Sequence, residues 1–172
     1  MTYKTHMLST FIVGELVAVY SDIIDTKEKA IGFFIALLFG SLFPDIDEEK
    51  SKISKMLPSF VSRSLNKLSH RGFTHNILGI SFFFVLSYFG LSMISPDKAV
   101  VITLGFMTGV ISHVFGDMVT YSGVPLIPGL QNIKIPIFGN FKVGTSGETK
   151  VYLFFSFVQI FLISYFLYGR VI

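Results

Sequence analysis

The clearest chemical signal in the sequence is a histidine followed four residues later by an aspartate, inside an apolar segment. His113 and Asp117 would share one face of a helix, because residues four apart are neighbours on its surface. This spacing suits two ligands of one metal ion, or an imidazole oriented by a carboxylate. A simple hydrogen-bonded pair is the alternative. Ionisable side chains in an apolar helix are costly and usually functional, so the pair favours a metal site.

Further imidazoles and carboxylates stand at the ends of other apolar segments. Asp45 and Asp47 follow a proline, where aspartate is ordinary turn chemistry, although two carboxylates one residue apart also suit a cation. His70 and His75 would be about 140° apart around a helix, so regular helix cannot point both the same way. His75, on the first turn of the next apolar segment, is therefore the stronger ligand candidate.

Four more ionisable residues carry weaker functional signals, and one of them is left unassigned. His6 opens the first apolar segment and is a further ligand candidate. Arg71 either fixes the orientation of the chain in the membrane through its positive charge, or binds a phosphate oxygen through its planar guanidinium group. Glu148 lies three residues after Thr145, which matches a helix-start capping box as well as it matches catalysis. Glu15, inside the first apolar segment, is left without an assigned role.

The composition indicates that membrane helices position these residues. The chain has 172 residues, of which 51% are hydrophobic and 15% are charged, and its mean hydropathy is +0.66. Soluble domains carry about 25% charged residues, so lipid is the expected solvent. Cysteine is absent, which excludes disulfides, thiolate nucleophiles and cysteine-based zinc sites. The length predicts one domain, residues 1–172, with a modest net charge of +3.

Five apolar segments predict an all-α, polytopic helical bundle with about five transmembrane helices. The last three approach the roughly 20 residues that a span requires. The second is short and the first contains Glu15, so three crossings are the minimum. Residues Ile133 to Val143 alternate around Gly139 and Asn140, which predicts a small β-hairpin in the last long loop. The five segments are His6–Ile24, Ala30–Phe43, Phe73–Ile94, Ala99–Val119 and Val151–Tyr168.

Alternating crossings would bring the polar candidates to a single membrane face. With the N-terminus inside, most lysines and arginines fall in the long loops 44–72 and 120–150 or beside them, so the positive-inside rule places these loops in the cytoplasm. All four histidines fall on that face, with Asp45, Asp47, Asp117 and Glu148. Chance would scatter them over both faces. The sequence therefore predicts a site at the cytoplasmic end of the bundle.

These motifs resemble the YdjM family of bacterial inner-membrane proteins, which are expected to be membrane-bound metal-dependent hydrolases. The resemblance runs from residue 6 to about residue 150, and Glu48 departs from it, because family members often have histidine there. The matching segments are His6-Met7-Leu8, Phe43-Pro44-Asp45-Ile46-Asp47, Ser69-His70-Arg71-Gly72-Phe73-Thr74-His75, Gly109-Val110-Ile111-Ser112-His113 with Asp117, and Gly123-Val124-Pro125-Leu126.

The resemblance implies a metal-dependent hydrolase in a bacterial or archaeal plasma membrane. The ligand order is also similar to that of zinc-dependent phospholipase C, although the further His-x3-Glu pair of those enzymes is missing. Together these likenesses lead to the hypothesis of phosphoester hydrolysis in a lipid or lipid-linked substrate. The predicted metal ligands are His6, Asp45, His70, His75, His113 and Asp117.

In this hypothesis a divalent metal, zinc before manganese or iron, activates water. Asp47 or Glu148 takes the proton, and Arg71 steadies the developing charge. Membrane lipids are the expected partners, with no nucleic acid, and the oligomeric state is left open. The alternatives are a non-enzymatic membrane scaffold and an ion transporter. A transporter would place its ionisable residues near the midplane rather than at helix ends.

Overall fold

The computed structural model describes residues 1–58 and 72–168, and this part of the chain is helical. Five long helices and one short helix follow one another, with 3-10 turns before α3 and before α4. The described residues confirm the predicted all-α fold class. The helices are α1 (Tyr3–Tyr20), α2 (Lys27–Leu42), α3 (Lys52–Met56), α4 (Ile77–Ile94), α5 (Pro96–Met118) and α6 (Ser146–Tyr168). The 3-10 turns are Phe43–Asp47 and Phe73–His75.

Local chemistry marks where the helices begin. The hydroxyl of Thr26 accepts a hydrogen bond from the backbone N–H of Lys29 at the start of α2. The side chain of Asn76 accepts one from Gly79 N at 2.9 Å at the start of α4. Pro96 occupies the first position of α5, where its missing N–H costs nothing. Only Ser95 separates α4 from α5, so these two helices are antiparallel neighbours.

Four helical segments are long and apolar enough to cross a membrane. They are Lys27–Asp47, Ile77–Ile94, Pro96–Met118 and Ser146–Phe166. Helix α1 is not among these four, in agreement with the weak signal of the first apolar segment. The second span reaches sufficient length because the 3-10 turn after α2 extends it to Asp47. The prediction was of about five transmembrane helices, some of them short; the described residues form five long helices, and four of the helical segments have the length and apolarity of a span.

Helices α2 and α5 approach each other through glycines. A Cβ atom added at Gly109 would lie 2.7 Å from the backbone nitrogen of Ser41 and would also meet the carbonyl oxygen of Leu37. Added Cβ atoms at Gly105 and Gly40 would each meet a backbone carbonyl of the opposite helix. Gly105 and Gly109 form a GxxxG motif, which lets helix backbones come close in a membrane. The end of α2 is therefore held against the last turns of α5.

The predicted β-hairpin at residues 133–143 does not form. The backbone N–H of Ile133 bonds to Val124, and that of Ile135 bonds to the carbonyl of Met118. Both groups are thus paired away from the expected partner strand. Gly139 and Asn140 have positive φ angles, but the turn lies at Ile137 and Phe138, just before them, and residues 133 to 143 form no strand in the described chain. The loop instead covers the end of α5.

Glu15 contacts the last helix. Gln159 of α6 donates from its side-chain nitrogen to both carboxylate oxygens of Glu15, at 2.9 Å each. The contact joins α1 to α6 part-way along both helices, more than two turns along α1 from His6. It gives Glu15 a helix-packing contact and no place among the metal-ligand candidates.

Candidate metal centre

The ends of α2 and α5, together with the starts of α1 and α4, meet at one end of the bundle, where they bring three histidines and two aspartates together. His6, His75 and His113 are fully buried, and Asp117 is 1% exposed. The side chain of Asp45 retains 22% exposure. Buried ionisable side chains are costly unless they are paired or bind a metal. Their convergence is therefore the most chemically demanding feature of the described chain.

Four of these residues have the arrangement of a metal site. Asp45, His75, His113 and Asp117 each offer one ligand atom, and these atoms all lie within 4.8 Å of one another. His113 Nε2 is 3.5 Å from Asp45 Oδ1, and His75 Nε2 is 3.7 Å from Asp117 Oδ2. These separations leave room for a cation between imidazoles and carboxylates. We call these four residues the ligand group.

A backbone carbonyl orients the imidazole of His113. Its Nδ1 lies 2.6 Å from the carbonyl oxygen of Ser41. A carbonyl only accepts, so Nδ1 carries the proton and donates it. The opposite nitrogen, Nε2, then presents its lone pair toward Asp45 and makes no hydrogen bond with the described residues. A metal-binding histidine typically has this arrangement.

A hydroxyl and a carboxylate orient the imidazole of His75. Thr74 Oγ1 lies 2.9 Å from both Asp47 Oδ2 and His75 Nδ1. The threonine has one proton, and the carboxylate accepts it, so the threonine oxygen accepts the proton on His75 Nδ1. This chain points His75 Nε2 at the ligand group. Asp47, predicted to act in catalysis, thus lies behind a ligand histidine, 3% exposed.

His6 lies against the ligand group without belonging to it. Its ring stacks on that of His113 with 3.7 Å between the centroids and 7° between the planes. Its Nε2 is 3.3 Å from Asp117 Oδ1, which also accepts from the amino group of Met1. Asp117 therefore faces His6 with one oxygen and His75 with the other. The sequence predicts His6 as a ligand, and the structure places it beside the shared carboxylate.

Electrostatics keep the imidazole of His75 in the form that binds metals. Burial, with the neighbouring His113, lowers the pKa of His75 to about 3. At neutral pH the ring is therefore uncharged, as a metal ligand must be. The ligand group combines the imidazoles of His75 and His113 with two carboxylates. These residues fit a divalent cation such as zinc, manganese or iron.

Glu148 holds two elements together at the edge of the centre. One carboxylate oxygen accepts from Thr2 N at 2.6 Å and from the hydroxyl of Thr5 at 2.9 Å, and the other accepts from Gly144 N at 2.7 Å. Both oxygens are thus used to join the start of α1 to the start of α6. The remaining predicted residues, His70 and Arg71, lie outside the described residues.

Two contributors to the site escape the sequence-based prediction. Ser41 acts through its backbone carbonyl, which side-chain chemistry cannot reveal. Thr74 stands directly before His75, and a hydroxyl next to a candidate ligand histidine could have indicated its role.

The GxxxG motif of Gly105 and Gly109 could also have been recognised from the sequence as a close helix contact. Because His113 lies four residues after Gly109, the glycine face of α5 continues into its ligand face.

Replacing Thr74 by valine is expected to weaken metal binding by about 10–100-fold, because residues that hydrogen-bond to metal ligands have effects of this size. Valine has the shape of threonine but cannot connect His75 to Asp47. Competition with a chromogenic chelator in detergent measures the affinity. Thr74→Ser, which keeps the hydroxyl, is the matched control and should retain near wild-type affinity. Equal affinities of the valine and serine variants would contradict the role of this hydroxyl.

Comparison with known proteins identifies relatives over nearly the whole chain. Residues 1–170 match the family model described as YdjM inner membrane protein. YvsG of Bacillus subtilis (strain 168) is 30% identical over 152 residues, which cover 88% of this chain and 87% of that protein. The inner membrane protein YdjM of Escherichia coli (strain K12) is 35% identical over 101 residues, which cover 56% of this chain and 49% of that protein.

No solved structure matches the chain. The family match confirms the resemblance drawn from the histidine and aspartate motifs. It also agrees with four described helices of membrane-spanning length and apolarity. The chain is a multi-pass membrane protein and belongs to the YdjM inner membrane protein family.

Proposed function

We propose that this protein is a metal-dependent hydrolase that cleaves a phosphoester of a lipid or lipid-linked substrate. The observation that carries the proposal is the ligand group itself. Two buried imidazoles, each oriented by a hydrogen bond at Nδ1, face two carboxylates within 4.8 Å. A structural role would be served by an apolar contact at lower cost, because buried charges seldom stabilise a fold.

A basic cavity beside the centre supports a phosphate-bearing substrate. A cavity of about 480 Å³ is bordered by Asp45 of the ligand group and Glu48, and by Lys50, Lys52 and Lys55. Three ammonium groups outnumber the two carboxylates, and this excess of positive charge favours an anionic group over a neutral ester. The carboxylate of Asp45, which remains partly exposed and lines this cavity, leaves the centre accessible to substrate and water.

The residues divide the chemical work as follows in this proposal. A divalent cation in the ligand group supplies Lewis-acid chemistry toward water and a phosphoryl oxygen. Asp47 holds His75 in place through Thr74 and is a positioning residue. Proton transfer falls to Asp45, the member of the ligand group whose carboxylate also lines the basic cavity. Arg71 keeps its predicted role of binding a phosphate oxygen.

Location and partners complete the proposal. The lysine-rich end of the bundle would face the cytoplasm, because basic loops are retained there. The centre would then meet lipids from the cytoplasmic leaflet, and zinc is the first candidate cation. The ligand group lies at helix ends rather than at mid-membrane. This position favours a hydrolase over an ion transporter.

Metal reconstitution tests the function. Protein purified in detergent is stripped with a chelator and supplied with zinc, manganese or iron(II). We expect stoichiometric binding and at least tenfold recovery of hydrolysis of bis(p-nitrophenyl) phosphate or phosphatidic acid. The carboxylic ester p-nitrophenyl butyrate should remain uncleaved. Protein that binds none of these ions at stoichiometric level and cleaves none of these substrates would instead support the scaffold alternative.

Charge variants refine this test. Lys50→Gln combined with Lys55→Gln should raise KM for phosphatidic acid several-fold with little change in kcat, because these groups attract the anion without touching the ligand group. Lys98→Gln, at the opposite end of α5, is the matched control and should leave KM unchanged. A KM insensitive to the first pair would remove the basic cavity from substrate binding.

A further inference from the structure

A second cavity lies on the apolar side of the metal centre. It measures about 430 Å³ and is enclosed by α1, α5 and α6, with Ile12, Val13, Ile111, Phe115 and Phe155 among its lining residues. Ligand cavities in proteins commonly have volumes of this order. Ile111 is 54% exposed and Val13 is 40% exposed, so two helices contribute accessible apolar side chains to its walls. Its chemistry suits hydrocarbon and excludes a charged ligand.

Two residues that lie against the metal centre also line this cavity. Gly116 lines it, and a Cβ atom at that position would lie 3.3 Å from His6 Nδ1. Met1 lines it as well. Residues beside Asp117 and His6 therefore border an apolar cavity, and one of them, Met1, also borders the cavity that holds the lysines. A molecule with an anionic head and an apolar tail matches this sequence of surfaces.

We propose that the apolar cavity between α1, α5 and α6 binds a hydrocarbon chain of the lipid whose phosphoester is placed at the ligand group. This inference rests on the proposed hydrolase function and specifies its substrate as an acyl-chain phospholipid. The chain enters sideways from the bilayer between α5 and α6. Its phosphate then lies at the boundary between the ligand group and Lys50, Lys52 and Lys55.

Another apolar cavity offers an internal comparison. It measures about 590 Å³ and lies between α2, α4 and α5. Its lining includes Ile35, Ile94 and Ile102, which extend toward the opposite end of the bundle, and neither Gly116 nor Met1 borders it. Size and apolarity alone would favour this cavity. Contact with the metal centre distinguishes the smaller one.

Photocrosslinking tests the chain site independently of turnover. The protein is reconstituted in vesicles of phosphatidylethanolamine and phosphatidylglycerol that contain phosphatidic acid with a diazirine on one acyl chain. After irradiation, peptide mapping should locate the label on walls of the smaller cavity. Val13→Trp and Ile111→Trp, which fill it from two helices, should each reduce this labelling at least fivefold. Val19→Trp, elsewhere on α1, and Ile35→Trp, in the larger cavity, should change it less than twofold.

The outcomes separate the chain site from the reaction. Labelling spread evenly over the apolar helix faces, or unchanged in Val13→Trp and Ile111→Trp with wild-type metal content, would overturn the chain site. If wild-type protein is labelled in this cavity but cleaves neither phosphatidic acid nor bis(p-nitrophenyl) phosphate, the proposed chain site stands and the proposed hydrolase function fails. A variant that stops cleaving phosphatidic acid while still cleaving bis(p-nitrophenyl) phosphate supports both proposals.

Discussion

Replacing His113 by alanine is expected to abolish stoichiometric metal binding and to reduce phosphoester hydrolysis at least 100-fold. His113 supplies a fully buried nitrogen that no described residue satisfies, and it lies 3.5 Å from the carboxylate of Asp45. Its loss leaves one imidazole in the ligand group. Metal content by inductively coupled plasma mass spectrometry and turnover of bis(p-nitrophenyl) phosphate measure the two effects.

A control variant separates loss of the ligand from loss of the fold. Thr103 is buried on the same helix, 3% exposed, ten residues before His113. Thr103→Ala also removes a buried polar group, but outside the ligand group, so it should keep both metal and activity. Helical circular dichroism of both variants should match that of the wild type. A His113→Ala protein with a full complement of tightly bound metal would refute the assignment of the ligand group.

Replacing Gly109 by alanine is expected to destabilise the protein by about 3 kcal/mol, the upper end of ordinary overpacking costs. The new methyl group would meet backbone atoms of α2 at Leu37, Gly40 and Ser41, and backbone cannot rotate away as a side chain can. The helices must separate. Because Ser41 orients His113, metal affinity should fall along with the free energy of unfolding. Denaturation in mixed micelles and chelator competition measure these changes.

Gly90 is the matched control for this substitution. It also lies within an apolar helix, α4, but a Cβ atom added there has no neighbour within 4 Å. Alanine favours helix over glycine by about 0.5–1 kcal/mol, so Gly90→Ala should be neutral or mildly stabilising with unchanged metal affinity. Equal stability of the two variants would show that the close approach of α2 and α5 is not required.

The predictions for His113 and Gly109 both depend on the close contact between α2 and α5. The glycines of α5 bring its backbone against α2, and the ligands follow on the same helical face, one turn further along. Close contact of the helices thereby brings the turn after α2, with Asp45, to His113. The fold and the centre consequently depend on the same interface. Substitutions far from any ligand are expected to alter metal binding when they separate these two helices.

Sequence patterns were sufficient for the outline of the molecule. Apolar segments predict the long helices, since the length and hydropathy of a segment are properties of that segment alone. Alternating crossings also predict that the histidines lie with Asp45 and Asp117 at one end, and the described residues bring His6, His75 and His113 together with these two aspartates. The hairpin prediction around Gly139 and Asn140 was wrong because local alternation cannot specify a partner. The backbone groups of Ile133 and Ile135 pair with Val124 and Met118 instead.

Only the tertiary structure shows which role each polar residue has. The sequence treats Asp47 and Glu148 as interchangeable proton acceptors, whereas one supports His75 through Thr74 and the other joins α1 to α6. These contacts link residues far apart in the chain, and their existence depends on how closely helices approach. Residue type and spacing determine which side chains can bind a metal. Only the packing of the helices determines which of them meet.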